Sequence, residues 1–305
     1  MSKTVTNLLL MLITIVAGTF AYIFFCSECG SFSKEPPKTI TEETPATVVT
    51  PKATSFPFSI QGDGLNYSTN DNYNFNRSAS NFVQPLSTEV NTGITELKTY
   101  LEGNENQILN VTGFYTSDEE NNSAFPNLGL ARANTIKNDL ATKGISTSQI
   151  NTMGKLMDDM VAKDDTYYGP VSLSLETKSD TADDELKALY DAIKADPLIL
   201  YFNTAQASIT LDAAQRQKIA DISKYLDRVE GAQVTIVGHT DNTGKASTNM
   251  RLGLDRANFA KNYLLKNGIP ENKIKTSSKG QTDPIASNAT EEGRNKNRRT
   301  VITLN

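Results

Sequence analysis

The chain has 305 residues, with 30 Lys and Arg against 35 Asp and Glu and 38% hydrophobic residues. That length suffices for two ordinary domains plus linkers, and the net charge of -5 argues against a polyanionic partner, so no nucleic acid is expected. One His, no Trp and only Cys26 and Cys29, both near the N-terminus, leave little material for metal or redox chemistry and no staple for the body of the chain; no cofactor is expected.

Leu8 to Cys26 reads LLLMLITIVAGTFAYIFFC without an ionisable residue, close to the ~20 residues that span a bilayer. It is long for the apolar region of a signal peptide, and no small-x-small cleavage site ends it. Phe25 and Glu28 precede the two cysteines, where a lipoprotein box needs a small residue. Residues 1–29 are therefore read as an uncleaved anchor, with the lipid bilayer as partner of residues 8–26. Lys3 lies on one side and Lys34 and Lys38 on the other, so lysine counting does not favour an exported body. For Cys26 and Cys29, a disulfide, a lipid and a pair of inert thiols all stay open. Residues 30–59 hold Pro36, Pro37, Pro45, Pro51 and Pro57 among Thr, Lys and Glu. They show no helical or alternating period and read as a tether, reaching roughly 90 Å at ~3.1 Å per residue.

Residues 60–176 are expected to fold. Val90, Ile94, Leu97 and Leu101 recur at helical spacing, and a strand follows at Ile108 to Thr112. In the segment 177–197, Thr181 to Ala195 reads as a connector helix or a brace. Its face is Leu186, Leu189, Tyr190 and Ile193, and Asp196-Pro197 stops it.

Residues 198–305 open with the apolar strand Leu198 to Phe202, followed by a helix marked by Ile219, Ile222, Leu226 and Val229. Val234, Ile236 and Val237 form the next strand, after which Gly238 and Gly244 are expected to loosen a turn. A helix carrying Leu252, Phe259 and Tyr263 ends at Lys266-Asn267-Gly268-Ile269-Pro270. Ile274 and Val301 to Leu304 supply later strands. Strands alternating with helices predict an α/β (α+β) layer fold. Asp241 and Arg256, 15 positions apart across a strand-turn-helix, are expected to face one space. A carboxylate and a guanidinium across a gap suit a zwitterion. The bland alternative is a surface salt bridge worth under ~1 kcal/mol. His239, the only histidine, has no metal or triad partners. No nucleophile–base or acid–base carboxylate pair stands beside Asp241, so the chain reads as a binder and not an enzyme.

The motifs GHTDNTG at 238–244, Asn249-x-x-Leu252-Gly253-x-x-Arg256-Ala257, Ser278-Lys279-Gly280, Asp283-Pro284 and Gly293-Arg294-x-x-Asn297-Arg298-Arg299 together resemble the OmpA-like C-terminal domain. The resemblance covers about a third of the chain. It implies a small mixed sheet with helices on one face, and non-covalent binding of peptidoglycan through the diaminopimelate of the stem peptide. It assigns the clamp to Asp241 and Arg256, with secondary contacts from Asn203, Thr204 and Ala205, from Asn249 and from Arg299. Gly253 departs from the commoner Ser. The exported orientation follows from a ligand outside the cell, placing the folded part in the periplasm of a bacterial envelope. A stator-like subunit of an ion-driven complex is the rival reading. It needs an ionisable residue in its span, which Leu8 to Cys26 lacks. A scaffold for other envelope proteins is the third.

A repeat is also legible. Leu128-Gly129-Leu130-Ala131-Arg132-Ala133-Asn134 mirrors Leu252 to Asn258 at a constant offset of 124 positions, and Gly144-Ile145 mirrors Gly268-Ile269. Phe75-Asn76 matches Phe202-Asn203. Residues 60–176 thus read as a degenerate tandem copy of 198–305. It carries Gly113-Phe114-Tyr115-Thr116 in place of Gly-His-Thr-Asp and has no Asn-Arg-Arg. Arg132 is expected to stand without a carboxylate partner unless Asp118 swings in, leaving this copy to space the chain or meet an envelope protein.

Overall fold

The computed structural model describes residues 52–305; the expected span at 8–26 and most of the expected tether lie outside them. Among the described residues no helix is long and apolar enough to cross a membrane. The first folded unit extends upstream of the expected boundary at residue 60. Thr54 N–H donates to Val161 O (3.0 Å) and Phe56 N–H to Tyr168 O (3.2 Å), so the last residues assigned to the tether are tied to the fold.

Two hydrophobic cores organise this mixed α/β structure. In the first half, β1 (Phe58–Gly62) and β2 (Leu65–Thr69) form an antiparallel hairpin, and the short β3 (Phe75–Asn76) pairs with β6 (Thr166–Tyr167). Helix α1 (Thr88–Gly103) buries Val90, Ile94, Leu97 and Leu101, the face its spacing predicts, and Ser87 caps its N-terminus. The central strand β4 (Gln107–Tyr115) lies parallel to β5 (Ile150–Leu156) and antiparallel to β7 (Val171–Thr177). Helix α2 (Leu128–Thr142) covers it. Phe58, Ile60, Tyr73, Phe75, Leu109, Ile136 and Leu140 join the α1 face in one core.

The second half follows a related order, without an opening hairpin and with a helix before its last strand. Strand β8 (Leu198–Tyr201) is followed by α4 (Ala213–Arg228), whose N-terminus carries a capping box between Asp212 and Gln215. Then come β9 (Val234–His239), α5 (Ala246–Lys266), β10 (Ile274–Gly280), α6 (Glu291–Asn297) and β11 (Arg299–Leu304). The sheet runs β10-β9-β11-β8. As in the first half, the central strand has a parallel neighbour (β10) on one side and an antiparallel one (β11) on the other. The intervening α3 (Ala182–Ala195) packs on the second half, where Ile193 enters the core and Tyr190 lies 5.5 Å from Tyr225.

Gly238 does not loosen a turn. It lies within β9, and a Cβ there would fall 1.7 Å from Gly253 O. Its role is to let α5 approach the strand, as Gly113 lets α2 approach β4, where a Cβ would fall 2.1 Å from Gly129 O. Gly244 and Gly268, at φ 93° and 78°, do serve as turn residues.

The halves also touch. Lys137 of α2 pairs with Asp227 of α4, both largely buried, and Thr147 Oγ1 donates to Asp227 O at 3.3 Å. Arg228 Nη1 donates to Ser148 O at 3.0 Å and Nη2 to the Asn151 side chain. Ser148, Asn151, Glu176, Leu186, Leu189 and Arg228 line a crevice between them.

Candidate binding site

The site gathers where β8, β9 and α5 meet the junction of α6 and β11. Asp241 lies two residues beyond β9, and α5 presents Asn249 and, two turns later on the same face, Arg256. Asn249 is buried and donates from Nδ2 to Asp241 O and the Gln281 side chain, which holds the loop after β9 against the helix.

Arg256 has no exposed surface. Its Nε donates to Gln206 O (2.8 Å), Nη1 to His239 O (2.9 Å) and Nη2 to Asn203 O (3.1 Å). Its plane lies 5.1 Å from the centre of the Phe202 ring. Among the described residues no side-chain carboxylate lies within salt-bridge distance of it. Three of its five N–H donors are used, so one on each Nη has no protein partner among the described residues. Burial pushes the guanidinium down to about 10, with the Asp241 charge acting in the other direction.

Asp241, 5% exposed, is oriented by Arg298. Its Oδ2 accepts from Arg298 Nη1 at 2.7 Å, and its Oδ1 from Thr243 N–H at 2.9 Å. Arg298 also donates from Nη2 to Glu291 (2.8 Å) and from Nε to Phe202 O (3.2 Å). Burial pushes the Asp241 carboxyl up, but the Arg298 and Thr243 hydrogen bonds outweigh it and hold the group below the usual carboxylate range. Asp241 and Arg256 do not pair directly; each is held by other groups of the protein.

The remaining expected contacts divide. Asn203 contributes its carbonyl to Arg256, while its side chain turns to Gln206 at 3.1 Å. Thr204 and Ala205 are exposed on the rim, Ala205 in the left-handed region at φ 60°. Arg299 is not brought to Asp241. It is buried, its Nη2 donates to Asp283 O at 3.2 Å, and its Nη1 has no partner. Asn297 is fully buried and bonds Ile285, Ala286 and Asn288, so the Asn-Arg-Arg motif braces a loop, supplies Arg298 to the site and leaves Arg299 beside it. His239 is buried with Nδ1 unpartnered. Burial first, and the Arg299 charge second, push its pKa down to about 4.

The first half keeps an arginine at the equivalent place. Arg132 does not stand alone, and its partner is Glu119. Asp118 turns instead to Arg77 at the surface.

Residues 201–298 match the OmpA family. Over 121 residues the chain is 38% identical to the peptidoglycan-binding protein ArfA of Mycobacterium tuberculosis, covering 40% of this chain and 36% of that protein. It is 37% identical over 98 residues to the probable lipoprotein YiaD of Escherichia coli, and 39% identical over 95 residues to outer membrane protein A of Bordetella avium. Those matches cover 32% and 31% of this chain and 45% and 49% of the relatives, so the chain spans less than half the length of these three proteins. Among solved structures, the peptidoglycan-associated lipoprotein of Burkholderia pseudomallei aligns at 23% identity and a TM-score of 0.33, over 35% of this chain and 89% of its own. The C-terminal domain of Helicobacter pylori MotB aligns at 29% identity and a TM-score of 0.32, over 36% and 84% respectively.

Proposed function

We propose that residues 198–305 bind peptidoglycan non-covalently through the diaminopimelate of its stem peptide. Asp241 receives the ammonium and Arg256 the carboxylate of the free amino-acid end. The observation that carries this reading is the buried Arg256 guanidinium, fixed by three backbone carbonyls yet without a carboxylate partner among the described residues. A buried cation of that kind is costly unless something neutralises it, and a ligand carboxylate meets both free N–H donors at once. Arg256 has no exposed surface, so the ligand reaches it only when the exposed rim at 203–206 shifts. Residues 1–29 anchor the chain in a membrane and the residues from 30 to about 53 tether the folded part to it, so that the protein links membrane to wall in the envelope. Residues 60–176 are a degenerate tandem copy. The partly shared order of elements and the matching glycine contacts support that reading.

Full-length protein sedimenting with diaminopimelate-type peptidoglycan tests the site. Each charge-assisted contact contributes roughly 1.5–3 kcal/mol, so Asp241→Ala and Arg256→Ala are each expected to remove most of the binding. Wild-type-like sedimentation by both folded variants overturns the assignment.

A further inference from the structure

The surroundings of Arg132 repeat those of Arg256 bond for bond. Arg132 Nε donates to Ala79 O (3.1 Å), Nη1 to Phe114 O (2.8 Å) and Nη2 to Asn76 O (3.5 Å). The equivalent acceptors for Arg256 are Gln206, His239 and Asn203. The guanidinium lies 5.3 Å from the centre of the Phe75 ring, as Arg256 lies over Phe202. The turn that supplies two of the carbonyls also recurs. Ser78 has φ 58° where Ala205 has φ 60°, and Ala79 N–H donates to Asn76 O as Gln206 N–H donates to Asn203 O.

One difference stands out. Both free N–H donors of Arg132 are taken by Glu119, through Nη1 to Oε2 and Nη2 to Oε1. The same carboxylate accepts Ser78 N–H at Oε1 (2.9 Å) and Thr116 N–H at Oε2 (3.0 Å). Neither side chain of this pair has any exposed surface. An ordinary buried ion pair is made of two side chains. Here Thr116 Oγ1 also donates to Oε2 at 3.4 Å, two of the five donors are backbone amides, one of them from the separate segment at Ser78, and the arginine is already fixed by three carbonyls that Glu119 does not touch. The arginine side of the cradle is therefore held independently of the group it binds. The loop bearing Glu119 is pinned on either side: Ser117 N–H donates to the Asp158 carboxylate at 2.6 Å, and Glu120 N–H to Ser78 Oγ at 2.9 Å.

We infer that the cradle around Arg132 is a carboxylate-binding site that the chain fills with its own Glu119, and that it takes a small carboxylate from solution when Glu119 is removed. The Glu119 side chain acts as a tethered ligand. It neutralises the cation from within and keeps external carboxylates out.

The test uses the full chain at neutral pH, in acetate or in chloride of equal ionic strength, with thermal unfolding as the readout. In chloride, Glu119→Ala is expected to lower the melting temperature of the first half by on the order of 10 °C, because a buried cation is left unpaired. Acetate at about 0.5 M is expected to restore several degrees beyond whatever it does to wild type, since a ligand that binds only the native state stabilises it. Glu119→Gln keeps the cradle filled, and Glu119→Ala/Arg132→Met removes the cation; neither should show the acetate-specific gain. If Glu119→Ala does not fold in chloride, the yield of folded protein on refolding in the two salts gives the same reading. Equal melting temperatures or equal yields in the two salts overturn the inference, as does an acetate gain that persists in the double variant.

Discussion

Arg298→Met probes the arrangement at Asp241 most directly. Of the three bonds that Arg298 makes, the one to Glu291 reaches a carboxylate that is 59% exposed and contributes little. The bond to Phe202 O is 3.2 Å long. The 2.7 Å contact with Asp241, between side chains only 5% and 7% exposed, therefore dominates the effect. Removing one partner of such a pair costs about 3–5 kcal/mol, since the remaining charge stays buried. The pH dependence follows from the same balance. In the wild type the folded-state pKa of Asp241 is depressed, so its contribution is present above the unfolded carboxyl value and is lost as pH falls through the folded one. Without Arg298, burial pushes the carboxyl upward. Protonation then relieves the variant, and the gap between the two proteins narrows on acidification. Urea unfolding at neutral pH and near pH ~4 measures both. Asp241→Asn in the Arg298→Met background should recover much of the loss, because no buried charge remains unpaired. A cost below ~1 kcal/mol at neutral pH, the level of an exposed pair, or one equally large in acid, would show that Asp241 does not depend on Arg298.

Gly238→Ala should cost at least ~3 kcal/mol by urea unfolding, because a Cβ 1.7 Å from Gly253 O forces β9 and α5 apart. The same displacement pulls His239 O from Arg256, so wall binding should fall with stability, whereas Gly113→Ala should destabilise the first half and leave binding intact. His239 titrates near 6.5 when unfolded and at about 4 when folded. Stability should therefore decline by up to about 3 kcal/mol as pH falls across that interval, and His239→Leu should flatten this part of the urea profile. Walls with lysine in place of diaminopimelate lack the second carboxylate and would leave two Arg256 N–H groups unpaired. Co-sedimentation with such walls should be at least ten-fold weaker, a factor of ten being about 1.4 kcal/mol.

Asp241, Asn249 and Arg256 are legible because each is fixed by a local rule: a loop at a strand end, or one face of a helix. Arg298 and Arg299 are adjacent where α6 passes into β11, and a one-residue step there separates an Asp241 contact from an Asp283 contact. Nothing in a run of two arginines says which is which. Gly238 reads as a turn former because glycine often is one, and only the packing of α5 reveals that the missing side chain matters more than the backbone freedom. Glu119 is harder still. Asp118, Glu119 and Glu120 look like a solvated acidic run, yet their neighbours send Asp118 to the surface and Glu119 to the interior. That choice rests on the Thr116 amide of the same turn and on a Ser78 amide brought from 41 residues away.

The edge strand β8 has a mechanical consequence. The chain enters it at Leu198, paired with Ile302, and leaves it at Tyr201, paired with Arg299, next to the binding site. A pull between a membrane on the N-terminal side and a wall gripped at Arg256 would act along this strand once the contacts at Lys137 and Asp227 have parted. Sliding β8 past β11 strains all four register pairs together, whereas peeling it sideways would break them one by one. Under the proposed function, the domain would be gripped in the direction in which a short sheet resists tension best.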